Sequence, residues 1–166
     1  MVEMLVVVAV MVALAGIAVV SASGTSELAA ATVTTESLHA MRDAIKGTAG
    51  KPGYFDDVGI SPNFKLDDLT TNPFAPTDPL YSYNPVTKKG WRGPYLTLAE
   101  NPPLDGWRHV ILLQTNPSDS THKRLVSAGP NGVIEIDPGN SSNPADASYL
   151  PTDDIVVPLT KDGVKW

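Results

Sequence analysis

Residues 4 to 20 read MLVVVAVMVALAGIAVV and hold no charged or polar side chain. Coiled as a helix, seventeen residues span roughly 25 Å, slightly less than the roughly 30 Å hydrocarbon core of a bilayer. Twelve of the seventeen are Val, Leu, Ile or Met, each of which favours insertion into lipid. Glu3 stands directly ahead of the run, and no basic residue precedes it. The apolar sum outweighs one carboxylate lying near an interface, though not one held at mid-membrane. The segment can live in a bilayer.

Two ordinary kinds of segment share these features. A secretory signal peptide needs positive charge before the apolar run and small residues after it; Ser21, Ala22 and Ser23 are small enough, but the leading charge has the wrong sign. A plain single-span anchor needs only the apolar length. A third reading comes from a resemblance. Glu3-Met4-Leu5-Val6-Val7-Val8-Ala9-Val10, with Ala13, Ala15, Gly16, Ile17 and Ala18 behind it, resembles the N-terminal helix of type IV pilin-like proteins. In that family an acid follows the peptidase cleavage point by a few positions and precedes an unbroken apolar run. Family members open with Phe-Thr after a basic leader ending in Gly. On that pattern the chain is expected to begin a couple of residues inside the mature protein.

The helical pattern continues past Val20 with a change of polarity. Ala31, Leu38, Met41 and Ile45 recur near helical spacing, with Thr34 or Thr35 filling the gap, while Glu27, Glu36, Arg42, Asp43 and Lys46 fall elsewhere. Gly47, Gly50 and Pro52-Gly53 form a stop signal. A helix from about residue 2 to 46 would be roughly 65 Å long. No domain of the remaining size would cover such a rod, so its first half must be sheltered by lipid or by copies of itself. Ala9, Ala13, Ala15, Gly16 and Ala18 would let neighbouring helices approach closely. In a packed bundle a lone carboxylate would need a partner or a proton. The resemblance implies one: Glu3 is neutralised during assembly by the free N-terminal amine of an adjacent subunit.

Charge and composition exclude other partners. A net charge of −6 argues against nucleic acid and against a polybasic grip on anionic lipid. The absence of cysteine excludes disulfides, thiolate metal sites and c-type haem attachment.

From Gly47 to Pro94 the chain is rich in breakers, including Pro52, Pro62, Pro73, Pro76, Pro79 and Pro85. It is also aromatic. Tyr54, Phe55, Phe64, Phe74, Tyr81, Tyr83 and Trp91 are expected to pack onto the helix, making an ordered, irregular loop with a short helical turn near Leu66 to Leu69. Short β segments follow: Tyr95 to Leu98, Arg108 to Thr115, Arg124 to Ala128, and Val133 to Ile136 after the turn Gly129-Pro130-Asn131-Gly132. Short connections favour an antiparallel meander whose one apolar face meets the amphipathic half of the helix. The expected fold class is α+β. It divides into a transmembrane or filament-core half-helix (1–22), an amphipathic half-helix (23–47), a Pro-rich loop (48–94) and a C-terminal β-meander with an acidic loop (95–166).

The same region narrows the resemblance. Gly90-Trp91-Arg92-Gly93-Pro94-Tyr95-Leu96, Asp105-Gly106-Trp107, Leu125-Val126-Ser127-Ala128-Gly129-Pro130-Asn131-Gly132 and Asp153-Asp154-Ile155-Val156 look like the type II secretion pseudopilin group, in the same order. Members of the major pseudopilin class bind calcium near the acidic pair. The resemblance therefore implies calcium as cofactor, with Asn131, Asp153 and Asp154 as metal ligands and Asp137 and Asp146 as further oxygen donors. Asn131 stands where Asp is frequent.

No nucleophile elbow, P-loop, HExxH or dinucleotide fingerprint occurs, and His39, His109 and His122 are scattered. No catalytic residue is expected. The resemblance implies a structural subunit of a pseudopilus that polymerises through its N-terminal helix to drive protein export. Its partners would be copies of itself, minor pseudopilins, an inner-membrane assembly platform and the prepilin peptidase. It would sit as a single-pass protein of the bacterial inner membrane, its C-terminal domain periplasmic, before joining a filament. Two alternatives stand beside this: a subunit of a surface type IV pilus for adhesion or motility, and a membrane-anchored extracytoplasmic binding or enzymatic domain that never polymerises.

Overall fold

The computed structural model describes residues 25–98, 100–120, 122–136 and 153–159. The apolar run 4–20 and Glu3 lie outside the described residues. Among the described residues no helix is long and apolar enough to cross a membrane.

The first element, α1, covers residues 25–46, about 33 Å at 1.5 Å per residue. Thr34, Leu38, Met41 and Ile45 are buried on one face at spacings of four, three and four. Of the two threonines that fit the stripe, Thr34 is the one fully enclosed, while Thr35 is only partly buried. The helix stops where Gly47 adopts φ +80, a left-handed conformation that glycine enters without cost. Gly47–Thr48 (β1) and Lys51–Pro52 (β2) then pair as a two-residue hairpin, and the short helix α2 runs over Tyr54–Asp57.

The Pro-rich loop is ordered and carries the expected helical turn, a 3-10 turn at Leu66–Leu69. Its aromatics divide. Tyr54 and Phe64 enter the core with Leu38, Met41, Ile45, Leu69, Ile111, Leu125, Val157 and Leu159, and Phe55 and Trp91 pack against it. Tyr81 stays 41% exposed. The rings of Tyr54 and Phe64 meet at a 42° tilt with centroids 4.9 Å apart, and Phe55 meets Phe64 edge-on at 5.3 Å.

Leu112–Thr115 (β3), Lys123–Ser127 (β4) and Ile155–Pro158 (β5) make an antiparallel sheet in sequence order. Leu125 lies opposite Leu113 and Val157, and this face meets α1. The fold is α+β, with a helix packed on a small antiparallel sheet.

Three details depart from the sequence expectation. Tyr95 to Leu98 is not a strand: the amides of Tyr95 and Leu96 both donate to the Leu69 carbonyl, so the segment lies on the 3-10 turn instead of a sheet. Val133 to Ile136 is not a strand either, because its amides are taken by side chains. Val133 N–H donates to Asn131 Oδ1, and those of Glu135 and Ile136 to Asp154 Oδ2. The third strand comes from Ile155–Pro158. Finally, the sheet is not one-sided. Every residue of β4 is buried, including Arg124 and Val126 on the face away from α1, and Gln114 on that face donates to the Ile136 carbonyl. Burial on both faces explains why β4 reads Lys-Arg-Leu-Val-Ser without alternation.

Candidate functional site

Asn131, Asp153 and Asp154 are brought together where the turn Gly129–Gly132 meets the start of β5. Gly129 (φ +62) allows the close approach, since a Cβ there would overlap the Asp153 carbonyl. Asp153 accepts from Asn131 twice, through the backbone N–H at 3.1 Å and the side-chain Nδ2 at 2.7 Å. The carbonyl oxygen of Asn131's own amide accepts from Val133 N–H at 2.6 Å. Asp154 Oδ2 accepts from the amides of Glu135 at 2.9 Å and Ile136 at 3.0 Å. Asp137 and Asp146 lie outside the described residues.

Calcium needs six to eight oxygens. In the described part of this cluster one carboxylate oxygen, buried Asp154 Oδ1, has no hydrogen-bond partner. The others already accept N–H groups, and among the described residues no three His, Cys, Asp or Glu side chains are placed to hold a metal. The described residues of the cluster do not by themselves make a calcium cage. They are a set of carboxylates and one amide that ties a turn to a strand.

A second cluster joins helix, loop and sheet. Asp105, 6% exposed, accepts from the amides of Trp107 and His109 through Oδ1 at 2.9 and 2.8 Å, and from Ser127 Oγ through Oδ2 at 2.6 Å. Ser127 Oγ in turn accepts from Gly129 N–H. The Nδ1 of His109 lies 2.9 Å from the Gly129 carbonyl, which can only accept, so Nδ1 bears a proton and donates. Ser, Asp and His are adjacent, but the hydroxyl is enclosed and donates to the acid directly, with no imidazole to take its proton. The trio builds a corner.

The third cluster went unseen in the sequence. Asp57, its side chain 3% exposed, receives Arg92 in a bidentate pair, Nη2 at 2.9 Å and Nε at 3.1 Å, plus the Tyr95 hydroxyl at 3.0 Å. Arg92 also lies 4.4 Å from the centre of the Tyr83 ring. Burial, followed by the Asp57 charge and its hydrogen bond, pushes the Tyr95 phenol up to about 12, against the pull of the Arg92 amide and charge. Burial raises the Tyr54 phenol as well, helped by the Asp68 charge. The motif Gly90-Trp91-Arg92-Gly93-Pro94-Tyr95 hinted at an ordered turn. Nothing local marked Asp57, 35 positions earlier, as its anchor.

The exposed face of α1 is the remaining feature. Leu28 is 72% and Val33 53% exposed. Residues 25–29 are exposed throughout, so the domain covers only the later part of the helix. Beside it, between Ser37, Ala40 and Met41 of α1 and the segment Leu96 to Arg108, runs an open groove of about 390 Å³.

No protein-family model, curated protein or solved structure matches the chain.

Proposed function

We propose that this chain is a filament subunit of the type II secretion pseudopilus kind, which polymerises through its N-terminal helix to drive protein export. The carrying observation is the helix itself. Its described part already leaves its own domain at residues 25–29, Leu28 and Val33 are uncovered, and the sequence continues upstream into seventeen apolar residues. A rod that is amphipathic at one end and apolar all round at the other suits two environments in turn, lipid before assembly and identical helices after it. On this reading the C-terminal domain is periplasmic, and the platform, the peptidase and the minor subunits are separate proteins. The subunit acts mechanically, and Glu3 answers the N-terminal amine of a neighbour.

Charge reversal at Glu3 tests the reading. Glu3→Lys is expected to leave the protein in the membrane with its domain folded while filaments, seen by electron microscopy and recovered by shearing and sedimentation, disappear. If the wild type never forms filaments when co-expressed with an assembly platform, the reading fails. The chain is then an anchored extracytoplasmic domain. Filaments displayed on intact cells at native expression would assign it to a surface pilus instead.

A further inference from the structure

We infer that the turn between β4 and β5 is latched by the amide of Asn131 in place of a metal ion, so that the C-terminal domain holds its shape without calcium. Five N–H donors already engage the oxygens of this cluster among the described residues: those of the Asn131 backbone and side chain on Asp153, of Val133 on Asn131 Oδ1, and of Glu135 and Ile136 on Asp154 Oδ2. The orientation of the Asn131 amide is determined by its partners. Turned over, it would set its oxygen against the Asp153 carboxylate and its NH₂ against the Val133 N–H. Asn131 Nδ2 therefore supplies, 2.7 Å from Asp153 Oδ1, the positive end that an ion supplies in a carboxylate cage. Among the described residues of the cluster, the one unpartnered carboxylate oxygen, Asp154 Oδ1, is far short of a calcium coordination sphere.

An acid at position 131 would reverse this. Two carboxylates at that separation repel and require a cation or a proton between them. Asparagine removes the requirement at the cost of one ligand charge. The inference does not depend on polymerisation and survives if that reading fails.

The test is thermal unfolding of the full chain in detergent, followed by circular dichroism, with calcium in excess and with EGTA in excess. The wild-type midpoint is expected to be the same in both. Asn131→Asp is expected to lower the midpoint in EGTA by roughly 4 °C or more. Asn131→Ser, which loses the Nδ2 donor without adding charge, should fall by less. A wild-type midpoint that drops in EGTA and returns with calcium would overturn the inference. So would an Asn131→Asp protein as stable in EGTA as the wild type.

Discussion

The hydroxyl of Thr34 accepts the amide N–H of Gly106 at 2.8 Å while donating to the Ala30 carbonyl at 2.8 Å. Through this one side chain, α1 holds the loop that carries Asp105. Gly106 sits so close that a Cβ would overlap the Ala30 carbonyl, and Thr34 is wholly enclosed. A polar residue on the core stripe of the helix is thus the docking point for the segment that leads into the sheet.

Thr34→Val keeps the shape and strands the Gly106 N–H. An unsatisfied buried donor costs about 1–3 kcal/mol, so urea unfolding of the detergent-solubilised chain should show a loss in that range. Thr34→Ser, which retains the oxygen, should lose clearly less. Equal losses for the two would mean that packing of the methyl, and not the hydrogen bond, holds the loop.

Asp57→Asn should destabilise by roughly 2 kcal/mol. The substitution removes the charge that the guanidinium of Arg92 answers and turns one acceptor oxygen into a donor facing it. A fully buried pair that loses one member costs roughly 3–5 kcal/mol. The lower figure applies because Arg92 is 40% exposed and keeps water on one side. The same unfolding titration reads it, and Arg92→Gln should lose more than Asp57→Asn, since it leaves the Asp57 carboxylate, 3% exposed, with the neutral Tyr95 hydroxyl in place of a counter-charge.

Stability should fall as pH rises from 10 toward 12. An unfolded tyrosine loses its proton near 10, while folded Tyr95 holds it to about 12, and buried Tyr54 is raised in the same direction. Between those values the unfolded state binds fewer protons, so its population grows with pH. The contribution is whole below pH 10 and gone above the folded value. Phenolate absorbance should show at least two tyrosines titrating late in the folded protein, and Tyr95→Phe should flatten the alkaline decline.

Gly129→Ala should cost more than about 1 kcal/mol. The residue has φ +62, which an alanine adopts with strain, and its Cβ would press on the Asp153 carbonyl. Because the damage falls on the junction of the turn with β5, hydrogen exchange of the amides of Asn131, Glu135 and Ile136 should accelerate ahead of those in β3 and β4. Uniform acceleration would show that the turn is not a separate unit.

The sequence by itself determined whatever depends on near neighbours. The spacing of Leu38, Met41 and Ile45 set which face of α1 is buried, and Gly47 with Pro52-Gly53 set where the helix ends. The 3-10 turn at Leu66–Leu69 was legible, and the apolar runs around Leu113 and Leu125 located two strands to within a few residues. These features follow from rotation per residue and from backbone freedom, which a few consecutive side chains settle.

Only the tertiary structure decided which segment became the third strand and what the polar residues were for. Val133 to Ile136 has the composition of a strand, yet Asn131 and Asp154 capture its amides, and Ile155–Pro158 takes the open edge of β4. Asp57 met Arg92, and Thr34 met Gly106, across 35 and 72 positions. A hydrogen bond between distant residues leaves no period in the chain. It forms only once packing has brought both groups out of water and made an unpaired one expensive.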